Sequence, residues 1–569
     1  MKINGYEIAL SEAQLDDIIN NRMRRVKLVS KDFAGYKNLT EGNKKALEHL
    51  VAAAKIFDDV AMEQDHEMNL PMKKALEEAA QNSTYAAKAL KLFTSFHGVE
   101  GHNGIDLEPV EIFKGIKGAK GRNFYPADLG VEEFHEILTR MVNEGKIDEV
   151  KKILSVRTMV RRDGKNLKAI DYTEYFKDAF SKAANEIEVA AHYTTDEDFK
   201  DYLGWQAQAL LQNNEDMDML ADKHWAVLQN NNQLEFTLGR ESYDDELTPT
   251  VYDNPALLEL LNQHQIEVNP KDMLGVRVGI INKEGTDLIL RFKQHMPELA
   301  KLMPYAGQYH QSVSDAGELK QTMVDVDVVA LTGDYAQCRG AITTAQNLPN
   351  NDKLAIKTGG RRNAYHRQVR MSGDPERNRK LLERLVAPEL HKYFDLEADH
   401  LFVIGHENGH SLGPDNEYQR ALGLYKSTVE EEKADVVSIA FMPEYVKAGV
   451  IDEETLKKIY TTWVAYRLFL KAQPLEAHRV GELIHFNFLH DNGAFWFDDE
   501  HKLHINFDKF HDVVYAMLKE TIEVQLSKSS EKAKAFIDKY TKWGKESQYI
   551  AKVQNELGVK NYIWIEDNF

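Results

Sequence analysis

The spacing of the apolar residues changes twice along this chain of 569 residues, and no other sequence feature constrains the fold as much. Up to about residue 230, apolar side chains recur every three or four positions, which is typical of helices with one buried face. Between about 231 and 371, apolar and polar residues alternate, as they do in half-buried strands. From about 374 the helical spacing returns and continues to about residue 545. This order predicts a predominantly α-helical α+β protein that packs into two lobes.

Individual segments show the pattern. Apolar residues from Leu47 to Ala61 follow steps of three and four, whereas alternation marks half-buried strands at Leu234–Leu238, Val276–Ile280 and Val324–Val328. A helical segment near 286–303 interrupts the strands. Asp374-Pro375 predicts the start of a helix, because aspartate is a good N-cap and proline suits the first helical position.

Charge and cysteine content exclude several protein classes. The chain has 71 Lys and Arg residues against 91 Asp and Glu residues, which gives a formal net charge of −20. A surface with this excess repels nucleic acid and anionic lipid, so we expect neither nucleic acid nor a membrane as a partner. The one cysteine, Cys338, excludes an internal disulfide and a cysteine-rich metal site. Neither a signal peptide nor a membrane-spanning apolar run is visible, so we expect a cytoplasmic protein.

The segment His406-Glu407-Asn408-Gly409-His410 is the strongest indication of chemistry. On a helix, residues four positions apart lie on one face, so both imidazoles can reach the same ion. Glu407, next to the first histidine, could then face a water at that ion and act as its general base. The motif indicates a metal site of the kind found in zinc hydrolases, with one Zn²⁺ per chain.

A second predicted helix offers the third ligand. Ser427-Thr428 can cap a helix that runs through Val429–Asp435 into an apolar segment. Zinc hydrolases commonly use two histidines and one carboxylate, with the fourth position left for water. Because Glu431 and Asp435 are one turn apart, Glu431 can bind the ion while Asp435 accepts a hydrogen bond from a ligand imidazole. A solvated helix face is the alternative for such a glutamate run, and the apolar continuation argues against it.

Another zinc-binding pattern competes with this one. The longer arrangement His-Glu-x-x-His-x-x-Gly-x-x-His would place Gly413 correctly, but Asn416 stands where the third histidine would be. Neutral asparagine is a poor zinc ligand, which disfavours this arrangement.

Together these residues resemble the dipeptidyl peptidase III family of zinc metallopeptidases, and the resemblance extends from about Asn43 to Phe495. That family pairs a His-Glu zinc helix with a Glu-Glu-x-x-Ala-Asp/Glu helix, which Glu430–Asp435 matches. By this match Glu431 is the zinc ligand beside His406 and His410, in agreement with the helical spacing. Asp435 and Glu430 would support the ligands from behind.

Other segments resemble the family's substrate-binding residues. Gly239–Asp245 is similar to its Glu-Ser/Thr-Tyr strand segment, which implies that Glu241 binds the free α-amine and Tyr243 steadies the scissile carbonyl or its oxyanion. Asn347-Leu348-Pro349-Asn350 is similar to a motif whose two amides, Asn347 and Asn350, hold the N-terminal dipeptide. Glu476-Ala477-His478 is similar to a helix that brings a histidine to the transition state. A core or rim tyrosine, a simple turn and an ordinary helix histidine are the respective alternatives.

Two departures indicate a divergent branch of the family. The better-known members have three residues between the His-Glu pair and the second histidine, whereas this chain has two, Asn408-Gly409. That spacing resembles a bacterial and plant-type branch, which includes domains fused to Nudix hydrolases in plants. The segment after Tyr243 is also longer, from about Pro249 to Asp272, and an insertion there could alter substrate length or access.

The resemblance implies two lobes that flank a wide cleft. Residues 1–373 would form a substrate-binding lobe from the N-terminal helical region and a mixed β core. Residues 374–569 would form a mainly helical, zinc-binding catalytic lobe, whose C-terminal tail can return to the first lobe. The predicted function is a zinc exopeptidase that releases dipeptides from the free N-terminus of short peptides. The alternatives are a zinc hydrolase acting on another peptide or amide, and a catalytically degenerate zinc-lobe binding protein, which the intact Glu407 disfavours.

Overall fold

The fold is α+β and predominantly helical, in agreement with the prediction. The computed structural model describes residues 1–102, 109–212, 214–228, 233–241, 245–311, 323–337, 345–348, 361–371, 373–474, 476–558, 560, 562–567 and 569. Two compact units divide the chain, and each combines segments that are distant in sequence. The first unit comprises Met1–Lys283, Gln321–Ser372 and Lys560–Phe569, and the second comprises Glu284–Lys320 and Gly373–Val559. The division of roles between residues 1–373 and 374–569 stays a prediction.

Helices make up most of the first unit before residue 230. The longest begins after Thr40, whose side chain accepts a hydrogen bond from the backbone N–H of Asn43. Its predicted apolar face, from Leu47 to Ala61, is buried in the main hydrophobic core. The helices of this unit are Glu12–Asp17, Ala34–Lys37, Glu41–Asp65, Asn69–Ala80, Thr84–Phe96, Val131–Asn143, Ile147–Ile153, Tyr172–Tyr175, Lys177–Tyr193, Glu197–Gln212, Glu215–Ala226, Pro255–Gln263 and His366–Met371.

A five-stranded mixed sheet, here the central sheet, forms the β core of the first unit, and it contains the three predicted strands. Its strand order is Ala345–Leu348, Arg361–Ala364, Met323–Gly333, Met273–Ile281 and Leu234–Glu241. Met323–Gly333 pairs parallel with Arg361–Ala364, and the other neighbours pair antiparallel. Among the described residues, Leu234–Glu241 and Ala345–Leu348 are therefore the two edge strands.

The expectation of half-buried strands is wrong for all three strands: Met323–Gly333 and Met273–Ile281 are buried on both faces, and so are residues 234–239. Val324, Val326 and Val328 pack in one apolar cluster, as the alternation predicts. The intervening Asp325 and Asp327 are also buried instead of facing solvent. Asp327 accepts a hydrogen bond of 2.5 Å from Arg367 Nε, a pairing that offsets the cost of burying its charge.

Short strand pairs lie among the helices of the first unit. Two to six residues are too few to alter the helical spacing around them, so the sequence did not predict them. The pairs are Lys2–Ile3 with Tyr6–Glu7, Met23–Lys27 with Tyr562–Glu566, Glu100–His102 with Pro109–Glu111, and Thr158–Asp163 with Asn166–Asp171.

The second unit is mainly helical. Its helices are Lys283–Gln294, Met296–Leu302, Pro375–Leu385, Leu396–Gly409, Asn416–Arg420, Lys426–Lys447, Glu453–Thr462, Ala477–Asp491, Phe507–Leu526, Ser530–Tyr540 and Lys545–Glu556. Phe495–Phe497 and Leu503–Ile505 form an antiparallel strand pair. None of the helices in the described residues combines the length and the apolarity needed to cross a bilayer.

The predicted helix starts have mixed outcomes. Asp374 caps Pro375–Leu385 by accepting a hydrogen bond from the backbone N–H of Arg377, as predicted. The segment near 286–303 is two helices, because Pro297 stands at the start of a new one. The capping role of Ser427-Thr428 is wrong. The 3₁₀ turn Gly423–Tyr425 leads directly into a helix that begins at Lys426, so both residues lie inside its first turn.

Candidate metal centre

Two helices of the second unit form the candidate metal centre. We name Leu396–Gly409 the histidine helix and Lys426–Lys447 the glutamate helix. Two glycines of the histidine helix face the glutamate helix: a Cβ on Gly405 would overlap Ser438 Oγ, and one on Gly409 would lie 2.7 Å from Ala434 O. Only a hydrogen atom fits at these positions, so the two backbones approach closely. Side chains from both helices can therefore converge on one point.

The three predicted ligand atoms form a nearly equilateral triangle. His406 Nε2 and His410 Nε2 are 3.1 Å apart, and Glu431 Oε2 lies 3.5 Å from the first and 3.6 Å from the second. A tetrahedral zinc ion with bonds of about 2.0–2.2 Å separates its ligand atoms by about 3.3–3.6 Å. The triangle therefore has the dimensions of one face of a zinc tetrahedron. Within the described part of the chain, no other group of three such ligands comes this close together.

Each imidazole is held by a carboxylate on the glutamate helix. His406 Nδ1 lies 2.6 Å from Asp435 Oδ1, and His410 Nδ1 lies 3.0 Å from Glu430 Oε1. Because a carboxylate accepts hydrogen bonds, each Nδ1 carries the proton and each Nε2 presents its lone pair to the centre of the triangle. Asp435 and Glu430 thus occupy the positions that the sequence predicts behind the ligands.

Glu431 provides the test of whether the site suits a cation. Its Oε2 atom is buried and has no hydrogen-bond partner. A buried carboxylate oxygen is costly unless an opposite charge or a hydrogen bond compensates it. Two neutral nitrogen donors and one carboxylate oxygen are a common zinc ligand set, so the residues present fit this ion. Asn416, the alternative third ligand, begins the separate helix Asn416–Arg420.

Charges around the ligands keep the supporting carboxylates ionised. Burial alone would raise the pKa of Asp435, but its hydrogen bond to His406 brings the pKa below the ordinary value. Burial acts in the same way on Glu430, and the charge of Lys433 outweighs it, so the Glu430 pKa is also lowered. Burial opposes protonation of His406, yet Asp435 raises the pKa of its imidazole.

The structure brings His478 to the ligands. This residue lies in the first turn of Ala477–Asp491, and the Glu476 side chain caps the helix by accepting from its backbone N–H. His478 Nδ1 lies 3.3 Å from Glu431 Oε2, and its side chain is 59% exposed. Glu407 follows His406 in the histidine helix and is half-buried, and its negative charge contributes to the raised pKa of His406.

Glu241 and Asn347, two of the predicted substrate-binding residues, belong to the first unit. Glu241 ends one edge strand of the central sheet, and Asn347 lies on the opposite edge strand. Tyr243 and Asn350 lie outside the described residues. The roles of all four stay predictions. The long segment after Tyr243 contains the 3₁₀ turn Thr248–Asp253 and the helix Pro255–Gln263.

Sequence reasoning missed a buried polar layer behind the ligands. Glu432, Lys433 and His485 are fully buried. Thr521 Oγ1 donates a 2.9 Å hydrogen bond to Glu432 Oε1, and burial raises the pKa of Glu432 well above its ordinary value. His485 Nδ1 lies 3.9 Å from Asp435 Oδ2, and burial lowers the His485 pKa to about 4. The apolar continuation of the glutamate helix was the available signal, because it indicated that charged residues there would be buried.

The fold is one already seen in dipeptidyl peptidase III structures. DPP III from Caldithrix abyssi aligns with a TM-score of 0.78 at 24% sequence identity, covering 97% of this chain and 98% of that one. The dipeptidyl-peptidase III from Corallococcus sp. strain EGB gives a TM-score of 0.69 at 20% identity, covering 98% of this chain and 97% of the other. The resemblance predicted from sequence is confirmed at the level of the fold.

A protein similar to this chain in sequence is named for something other than dipeptidyl peptidase III. The chain is 23% identical over 560 aligned residues to Nudix hydrolase 3 of Arabidopsis thaliana, and the alignment covers 88% of this chain and 68% of the plant protein. No protein-family model matches the chain.

Proposed function

We propose that this chain is a zinc-dependent exopeptidase that hydrolyses short peptides near the free N-terminus and releases dipeptides. The triangle of His406 Nε2, His410 Nε2 and Glu431 Oε2 is the observation that carries the proposal. Its dimensions suit zinc, and the buried Glu431 oxygen without a hydrogen-bond partner suits a cation. The fold shared with two dipeptidyl peptidase III structures supports peptide hydrolysis as the reaction.

His406, His410 and Glu431 would hold the zinc ion. When bound, zinc supplies Lewis acidity, which polarises a carbonyl group and makes water a nucleophile near neutral pH. Asp435 and Glu430 keep the proton of each imidazole on Nδ1, so that Nε2 remains available as the ligand atom.

Glu407 carries the proton transfers in this proposal. Its carboxylate accepts a proton from the attacking water and later delivers that proton to the leaving amine. The position directly after His406 supports this role, because a helix then holds the carboxylate beside the ligands. His478 and Tyr243 would donate hydrogen bonds to the oxyanion of the tetrahedral intermediate. One such donor is typically worth about 10²–10³ in rate.

Release of dipeptides requires groups that recognise the ammonium terminus. Glu241 would pair with the α-ammonium group, and Asn347 and Asn350 would hold the first two residues through their amides. Ala345–Leu348 is an edge strand of the described sheet. An extended peptide can pair with such an edge through main-chain hydrogen bonds, which tolerate different side chains.

Dipeptidyl arylamides test the proposal. We expect the zinc-loaded chain to release the arylamine from Ala-Ala- and Arg-Arg-arylamides, to lose this activity with a chelator, and to regain it with added zinc. The N-acetylated versions of the same substrates should be poor, because they lack the ammonium group. Turnover of blocked amides alone would instead indicate a zinc hydrolase with another substrate. Stoichiometric zinc without turnover on any peptide would indicate a binding protein.

A further inference from the structure

Lys433 is a fully buried cation two residues after the ligand Glu431. Its Nζ donates hydrogen bonds of 2.7 Å to Gly409 O and 2.7 Å to Leu412 O, and it lies 2.9 Å from Glu430 Oε1. The two carbonyl groups accept hydrogen bonds from the ammonium, and the Glu430 carboxylate forms an ion pair with its charge. Burying a charge is costly unless it is fully paired, so this arrangement must compensate for an expensive residue.

Two of these contacts hold the backbone around His410. The histidine helix ends at Gly409, and His410 is its C-cap residue. The last carbonyl groups of a helix lack partners within the helix, and a cation at this end is favourable. Gly409 O belongs to the peptide bond that leads into His410, and Leu412 lies two residues beyond it. Lys433 therefore fixes the chain on both sides of this ligand.

The third contact holds the ring of His410. Glu430 Oε1 accepts a hydrogen bond from His410 Nδ1 at 3.0 Å and forms an ion pair with Lys433 Nζ at 2.9 Å. The other oxygen, Oε2, accepts from Gln419 Nε2 at 2.7 Å and from Gln525 Nε2 at 3.3 Å. These contacts leave the Glu430 carboxylate little freedom to rotate, and the orientation of the imidazole follows from it.

From these contacts we propose that Lys433 is a positioning residue of the metal centre. It fixes the backbone of His410 directly and its ring through Glu430, and thereby keeps His410 Nε2 at its corner of the triangle. The inference rests on the proposed function, because it assumes that the triangle binds zinc. His406 is held differently, by Asp435 alone among these residues.

The test measures zinc affinity by competition with a chromophoric chelator. Lys433→Met keeps the length of the side chain and removes all three donors, and we expect zinc to bind about 10–100-fold more weakly. The visible spectrum of the cobalt-substituted variant should change, because the position of His410 changes. At saturating zinc, kcat should fall while KM stays within about twofold of wild type, since the residue touches no substrate.

Ser438→Ala is the matched control. Ser438 Oγ donates a 2.8 Å hydrogen bond to Phe402 O, which joins the same two helices without contacting Glu430 or a ligand. This variant should keep wild-type zinc affinity and the wild-type cobalt spectrum. Equal losses in both variants would overturn the proposal, because a general loosening of the helix pair would then explain them. Wild-type affinity in Lys433→Met would also overturn it.

Lys433→Arg decides the question if the methionine variant does not fold. Arginine keeps the charge, but its planar guanidinium cannot reach the two carbonyl groups and Glu430 together as an ammonium does. We expect at least threefold weaker zinc binding, and unchanged affinity would refute the positioning role. A wild-type chain that binds no zinc would contradict the proposed function itself, which separates that failure from failure of this inference.

Discussion

The carboxylates that support the metal centre and a buried carboxylate of the central sheet have pKa values shifted in opposite directions. In the metal centre, the hydrogen bond from His406 lowers the pKa of Asp435 and the charge of Lys433 lowers the pKa of Glu430, despite the burial of both carboxylates. In the sheet, burial and the adjacent Asp327 raise the pKa of Asp325 to about 7. The two carboxylates that support the histidine ligands therefore stay charged, as a cation site requires, although burial raises the pKa of the neighbouring Glu432. The sheet buries its aspartates as part of a packed layer.

The two regions also differ in how their functional residues come together. The ligands His406 and His410 are neighbours on one helical face, so their meeting depends on local spacing. Glu241 and Asn347 lie on opposite edge strands, so their placement depends on the order of strands in the sheet. Strand order is a tertiary property, and the motifs that carry these residues do not encode it.

Glu407→Gln should have the largest effect, and it tests the chemistry proposed for the metal centre. The substitution keeps the shape of the side chain but removes the proton acceptor, so kcat on a dipeptidyl arylamide should fall by about 10²–10⁴. Zinc content, measured by elemental analysis, should stay near one ion per chain. Activity close to wild type would remove Glu407 from the mechanism.

Asp435→Asn compares a charged supporting carboxylate with a buried carboxylate of the sheet. Loss of the charge behind His406 should weaken zinc binding about 10–100-fold, measured by chelator competition. Asp325→Asn is the control, because it removes a buried carboxylate that takes no part in the metal centre. A loss of zinc affinity of the same size in both variants would break the comparison.

Glu241→Gln tests whether Glu241, at the end of an edge strand of the sheet, recognises the α-ammonium group of the substrate. A charged hydrogen bond is worth about 1.5–3 kcal/mol, so we expect at least about a tenfold loss of preference for free over acetylated peptides. KM for the free peptide should rise more than kcat falls. If the ratio between the two substrates does not change, Glu241 has no role in recognising the amine.

The smallest expected effect concerns stability and pH. The pKa of Asp325 is about 7 in the folded chain and near 3.8 when unfolded, so the folded state binds more protons between these values. Its contribution to stability is therefore complete below about pH 4 and is lost as the pH rises towards 7. Asp325→Asn should remove this trend. The value of Tm at pH 7 minus Tm at pH 4 should therefore be about 2–4 °C higher in the variant than in wild type.

A surface carboxylate provides the control for this measurement. Asp128 is exposed, and its hydrogen bond to Arg162 lowers its pKa, so Asp128→Asn should leave the slope between pH 4 and 7 unchanged. The same slope in Asp325→Asn as in wild type would show that Asp325 does not titrate in this range.

Whether a sequence prediction was right depends on how far apart in the chain the interacting residues are. The helix start at Asp374 and the convergence of His406 with His410 depend on neighbours within one turn, and the sequence predicted both. The capping role of Ser427-Thr428 failed because the preceding 3₁₀ turn starts the helix earlier. Lys433 was not predicted because its two carbonyl acceptors come from the end of the histidine helix and from the turn after it. The burial of Asp325 and Asp327 depends on layers that cover both faces of their strand.

Gly405 and Gly409 face the glutamate helix, so the spacing of the His406–His410 motif is linked to the packing of the two helices. One residue inserted after Glu407 would rotate everything beyond it by about 100° around the helix axis. Gly409 would then turn away from Ala434 and present a bulkier neighbour to it, and the carbonyl groups held by Lys433 would point elsewhere. A homologue with a longer interval between its histidines therefore needs a different packing between these two helices. The histidine spacing and the helix packing should accordingly change together in evolution.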